Sequence, residues 1–374
     1  MMRSTYISFV CMLIAFTVVL ASCAGRGVKP DGNKVVLRYS SLLEIIDCDG
    51  YSVVDVKNPW GKGLLKRYIL VPYDSTLPAD IPQGTLLRTP LRRTIVFSGV
   101  HTSLFEELGV LNSVAGVCDR KYIYSNGVQK RLEQGSVADC GSSLNVNSEA
   151  VVQVSPDAIF VLPYENGGYG KLENMSYPLV ECADYMERSP LGCAEWIRFY
   201  GRLVGRAVES DSIFNAVCEE YESLCELTDS TEVRPRLMCE LKSHSAWYVP
   251  GGKSTMGQLY RDAGADYLFA DCGENGSVPL SFEVVLEKAS DADIWLVKYN
   301  SKTDKTYGSL LSDFEGYSHF APFKQKNIYC CNTHRKHIFE EAAFHPERLL
   351  RELVALFHPS LIPEYTPSYY EKMY

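Results

Sequence analysis

Asn147-Ser148-Glu149-Ala150-Val151-Val152-Gln153-Val154-Ser155-Pro156-Asp157-Ala158-Ile159-Phe160-Val161-Leu162 decides the fold, because it spells a helix and a buried strand in one run. Ser148 opens the helix, Glu149, Val151, Val152 and Val154 follow, and Pro156-Asp157 ends it. Ala158 to Leu162 is continuously apolar, the mark of a strand covered on both faces. An offset of 134 residues takes Glu149 to Glu283, where the plan returns. Ser281 opens a helix with Glu283, Val284, Leu286 and Ala289, and Ala292-Asp293-Ile294-Trp295-Leu296-Val297 is the strand. At the same offset Val151 falls on Val285, Asp157 on Asp291 and Ala158 on Ala292.

The flanking segments extend both copies. Thr94-Ile95-Val96-Phe97 reads as a strand, Ser98 to Thr102 as a turn, and Ser103 to Leu108 as a helix stopped by Gly109, with Val114 to Val117 the next strand. In the second copy Arg236 to Leu241 is a strand, Pro250 to Lys253 a turn, and Ser254 to Ala263 a helix ended by Gly264. Strands alternating with helices imply a parallel sheet covered on both faces, so the expected class is α/β with two Rossmann-like βαβ lobes, 93–188 and 209–374. Between them Ser189 can cap a helix whose first position is Pro190, and Gly201 and Gly205 allow close backbone approach. A long rigid helix over 189–208 joining the lobes is expected, with an ordinary covering helix of the first lobe as the alternative. Residues 35–92 hold short β-prone runs broken by Pro59, Gly61, Pro72 and Pro78, and read as an N-terminal β extension laid against the first lobe.

The first residues speak of address. Arg3, the apolar run Ile7 to Leu20 and Leu20-Ala21-Ser22-Cys23 predict a signal peptide over 1–22 and a lipid on the Cys23 thiol; an ordinary signal peptide with a cysteine at the cut is the other reading. Residues 23–34 read as a tether. No second apolar run of spanning length follows, so the chain is expected to be anchored to a membrane without crossing it. Cys23 is followed by Ala-Gly-Arg-Gly and no acidic run, which points to the periplasm and not the cell exterior. With 46 acidic and 37 basic residues, net charge −9, and no basic block, nucleic acid is excluded as a partner. The 13 cysteines show no CxxC spacing, so buried free thiols are expected, with one or two disulfides left open.

Asn147 to Ile159 and Ser281 to Leu286 resemble the corresponding segments of the periplasmic substrate-binding proteins of ABC importers for cobalamin, ferric siderophores and haem. The resemblance spans about Arg93 to Tyr374. Glu181 to Met186, Trp247 to Gly252 and Phe344-His345-Pro346 look like the iron-chelate branch of Bacteroides-type bacteria. The resemblance implies a monomeric binding protein, not an enzyme, whose partners are a permease and a metal chelate. One glutamate per lobe would dock on permease arginines, and those positions match Glu149 and Glu283. A glutamate in a helix's first turn is also what the macrodipole alone favours.

In open α/β lobes ligands bind beyond the carboxyl ends of strands. Loops there carry His101, Tyr164, Tyr169, Tyr185, Trp247, Tyr248, Lys253, Lys298, Tyr299 and His334. The aromatics suit a stacked macrocycle or catecholate chelate, and Lys253 and Lys298 suit an anionic one. No resident cofactor or metal site is expected, since His334 and His337 lack a carboxylate partner in the pattern. A P-loop fails because Trp247 stands where glycine is required, and no G-x-S-x-G elbow occurs. Two further readings stand: a metal or tetrapyrrole chelatase on a bilobed fold, and a surface chelate scavenger.

Overall fold

The structure, a computed structural model, describes residues 29–76, 80–273 and 275–374. The expected signal peptide and the lipidation site Cys23 lie outside the described residues. Gly32–Lys34, the end of the expected tether, is instead an edge strand pairing antiparallel with Leu43–Cys48. It opens a five-stranded sheet continued by Tyr51–Lys57, Leu64–Pro72 and, in parallel, Thr85–Thr89. Alternation sorts its two faces. Val54, Val56, Tyr68 and Leu70 share one core with Phe199 and Leu203 of the segment between the lobes, while Val53, Ile69 and Val71 form a small outer cluster.

The first lobe holds a parallel sheet in the order Leu179–Glu181, Ala158–Val161, Thr94–Val96, Val114–Val117, Ala138–Asp139. The second holds Asp266–Tyr267, Arg236–Cys239, Ile294–Tyr299, Ile328–Asn332 and an antiparallel Glu371–Lys372. Helices cover both faces of each, so strand residues such as Ile159, Val161, Trp295 and Val297 are fully buried. The repeat is physical as well as textual. Asn147 caps the helix Ser148–Val154 and Ser281 caps Phe282–Ala289. At the strand entries the equivalence shifts by two residues. Asp157 accepts the Arg93 N–H at 3.0 Å and donates its own N–H to the Arg93 carbonyl, and Asp293, not Asp291, makes the same reciprocal pair with Arg236 at 2.8 Å.

The helix expected over 189–208 is broken into Pro190–Ala194 and Ile197–Leu203, and a 23-residue helix, Ala207–Asp229, follows. The break between the first two is a tightened turn, where the Trp196 and Arg198 N–H groups donate to the carbonyls of Cys193 and Glu195 three residues back. Glu195, fully buried, turns its carboxylate to the backbone N–H groups of Arg38, Tyr39 and Ser40 at 2.9, 2.8 and 2.8 Å. Gly205 takes φ +71°, the left-handed conformation that stops a helix. The long helix is the connector. Ile213 on it touches the cores of both lobes, and the absent side chain of Gly201 lets it seat against Ser210. No disulfide forms among the described cysteines, which are all free. Among the described residues no helix is long and apolar enough to cross a membrane.

Candidate functional site

The residues that meet between the lobes come from strand ends. Phe97-Ser98-Gly99 follows the first strand of lobe one, Asp119, Tyr122 and Tyr124 follow the second, and Asn300 and Thr333 follow the two central strands of lobe two. With Lys336, His337, Phe339 and Glu340 they line a cavity of about 430 Å³. Phe339, 63% exposed, also walls a second, apolar cavity of about 250 Å³ bordered by Tyr185, Met256, Leu259 and Lys298. Phe339, on the segment 333–345, is the side chain common to both cavities and stands between them.

Contacts of this segment fix how the lobes meet. The Glu340 carboxylate accepts the Tyr124 N–H at 3.2 Å and fills the space a side chain on Gly99 would occupy. Burial raises the Glu340 carboxyl to about 7, against the opposing effect of that N–H. His337 stacks on Tyr124 with ring centroids 4.3 Å apart and planes 8° from parallel. His345 Nε2 reaches Glu107 of the first lobe at 2.8 Å while Nδ1 meets Glu347 at 2.9 Å. Burial would lower the His345 imidazole, but the two carboxylates outweigh it and raise it to about 9. Phe344 sets its edge on His101 and Tyr200, at 5.9 and 5.7 Å.

The residues singled out in the sequence divide. Tyr185 and Lys298 border the apolar cavity, the tyrosine bonded to the Pro163 carbonyl and the lysine ion-paired with Glu240. Trp247 does not face the cleft: its ring is fully buried on Trp295 and Phe320, and its indole N–H donates to the Cys239 carbonyl at 3.0 Å. His101 is likewise internal, 1% exposed, with Nε2 3.1 Å from Asp184 and 3.2 Å from the Tyr200 phenol. Burial lowers its imidazole, and Cys182 and Asp184 reverse this to about 10. Tyr169 is bound to Glu181, and the Tyr299 phenol accepts the Lys305 N–H at 3.0 Å. Tyr164 bonds the Gly168 carbonyl at 3.0 Å, and with Tyr248, Lys253 and His334 it is exposed and lines neither cavity. Sequence reasoning passed over Tyr122, Tyr124, Phe339 and Glu340, and weighed His337 only as a metal ligand. The available signal was the run from His334 to His345, where three histidines, two phenylalanines and two glutamates crowd directly after a strand.

Glu149 and Glu283 are both exposed in the first turn of their helices. The Glu283 carboxyl is held below the usual range by its own backbone N–H and the Ser281 hydroxyl.

These lobes, this connector and this cleft place the chain in a known class. Residues 95–333 match the family described as periplasmic binding protein, and the chain belongs to that family. An uncharacterised lipoprotein of Methanocaldococcus jannaschii is 27% identical over 351 residues, covering 87% of this chain and 82% of the relative. Among solved structures, the periplasmic haem-binding protein RhuT of Roseiflexus sp. RS-1 superposes with a TM-score of 0.56 at 19% identity, over 72% of this chain and 99% of its own. The periplasmic vitamin B12 binding protein BtuF of Vibrio cholerae does so with 0.54 at 13% identity, over 73% and 99%. These two likenesses establish the two-lobed fold.

Proposed function

We propose that this protein captures a metal chelate (a ferric siderophore, haem or a corrinoid) between its lobes and delivers it to an ABC importer, catalysing no reaction itself. The observation that carries the reading is the pair of cavities that meet at Phe339. Tyr122, Tyr124, His337 and Phe339 offer ring faces for a flat or catecholate ligand, and the apolar chamber beyond Phe339 can take its hydrophobic part. Glu149 and Glu283 are the groups proposed to meet permease arginines, one from each lobe. A lipid on Cys23 would hold the protein, as a periplasmic monomer, within tether reach of that permease and raise its effective concentration.

The test is an absorption titration of the chain from Ala24 onward with haemin, a ferric catecholate and cobalamin. One of the three should saturate at one equivalent, and Phe339→Ala should weaken it about tenfold or more, since about 1.4 kcal/mol of stacking is enough for that factor. Binding of none of them defeats the reading. A Glu149→Arg, Glu283→Arg double variant should keep chelate binding and lose permease binding.

One observation favours a second reading. A chelatase needs a histidine and a carboxylate facing the cleft together, and His337 and Glu340 line the same cavity. Time-dependent insertion of a metal into a free tetrapyrrole by the purified protein would establish it, and an unchanging spectrum would exclude it.

A further inference from the structure

Behind the cleft four side-chain heteroatoms converge in a shell of aromatic rings. His101 Nε2, Cys182 Sγ and an oxygen of Asp184 all lie within 4.8 Å of one another. The Tyr200 phenol oxygen joins them, 2.6 Å from Asp184 Oδ1 and 3.2 Å from His101 Nε2. All four residues are buried, between 0% and 3% exposed. They arrive from three elements: the helix Gly99–Glu107, the turn after Leu179–Glu181, and the helix Ile197–Leu203.

We propose that His101, Cys182 and Asp184 bind a single transition-metal ion of the zinc type, with Tyr200 at the fourth position. Imidazole, thiolate and carboxylate are the donor types such ions take, and a closed shell of four is the arrangement of a structural site. The spacing needs a modest expansion of the cluster. Two nitrogen or oxygen ligands at about 2.0–2.1 Å from a tetrahedral ion stand roughly 3.3–3.4 Å apart. The separations of His101 Nε2 from Asp184 Oδ1, 3.1 Å, and from the Tyr200 oxygen, 3.2 Å, have to widen by a few tenths of an ångström, and the 2.6 Å between the Tyr200 oxygen and Oδ1 by about 0.7 Å. Binding balances by release of two protons: the Cys182 thiol gives up its proton as the S–metal bond forms, and the His101 imidazolium gives up its Nε2 proton and keeps the N–H on Nδ1, while Tyr200 coordinates as the neutral phenol.

The lid belongs to the other lobe. Phe344, on the segment 333–345, closes over His101 and Tyr200 with ring centroids 5.9 and 5.7 Å away. Separating the lobes lifts that ring, so the ion enters and leaves with the lobes apart and is retained with them together. The site stands apart from the chelate reading, because none of the four ligands lines the 430 Å³ cavity.

The experiment uses the soluble chain stripped with a chelator and titrated with Co²⁺. The expected result is one equivalent bound, with a sulfur-to-cobalt charge-transfer band in the near ultraviolet and tetrahedral d–d bands that Zn²⁺ abolishes. Cys182→Ser, close in volume, should lose the sulfur band and weaken Co²⁺ binding by at least about tenfold. Phe344→Ala should keep the stoichiometry and speed removal of the ion by chelator. A wild-type protein without the sulfur-to-cobalt band overturns the proposal, even if Cys182→Ser proves unable to fold. So does a Cys182→Ser spectrum identical to the wild type.

Discussion

Two carboxylates show how single residues fasten the N-terminal extension to the segment between the lobes. Glu187 accepts the N–H groups of Ser41 and Leu42 and the Trp196 indole N–H, and Glu195 accepts those of Arg38, Tyr39 and Ser40. Both are buried, at 5% and 0% exposure, where a polar group is tolerated only if it is hydrogen-bonded. Glu195→Ala leaves three inward N–H groups without an acceptor, each costing about 1–3 kcal/mol. We expect a loss of about 3 kcal/mol or more in urea unfolding, whereas truncating the exposed Glu209 should change little. A loss below about 1 kcal/mol at Glu195 would show that water replaces it. None of this was readable from spacing, since Glu195 and Arg38 are 157 residues apart.

The elements themselves were largely legible. Apolar runs bounded by caps and Pro-Asp stops announced the strands Ala158–Val161 and Ile294–Tyr299 and the helices before them, because local chemistry writes those features. The connector was not. Pro190 and the apolar residues to Leu203 favour one helix, but the chain tightens into a turn between Ala194 and Ile197 and Gly205 ends the run. The cleft was harder still. Trp247 and Tyr248 are neighbours on one strand, and alternation sends the first into the core and the second to solvent, a choice of face that the local pattern leaves open. The cluster of His101, Cys182 and Asp184 is assembled from positions 83 residues apart. Packing of Ile197–Leu203 on Ala207–Asp229 depends on Gly201, where a side chain would overlap Ser210. Gly201→Val should therefore separate these helices and cost about 1–3 kcal/mol, the range for overpacking a tight contact. Differential scanning calorimetry would show it as a lowered Tm, and an unchanged Tm would mean that the connector shifts freely along its neighbour.

How the two lobes hold together is a question about charge as well as shape. Two of the contacts that join them, at Glu340 and His345, carry raised pKa values, and both lose stability in the same direction. Glu340 stands in the folded protein at about 7, above its ordinary 4.5, because burial disfavours its charge and Glu341 and Glu106 repel it. A raised carboxyl stabilises most below its unfolded value and loses that contribution as pH climbs through about 7. His345 stands at about 9 in place of 6.5, so its bridge between Glu107 and Glu347 is complete below the lower value and lost as pH rises through the upper. Opening should thus grow in two steps with alkalinity, the first governed by Glu340 and the second by His345. Glu340→Gln keeps the acceptor facing the Tyr124 N–H and removes the charge. In small-angle scattering between pH 6 and 10 the wild-type radius of gyration should rise across both steps. The variant should remain compact through the first and open only near the His345 value. Identical curves for the two proteins would show that Glu340 does not govern the closure.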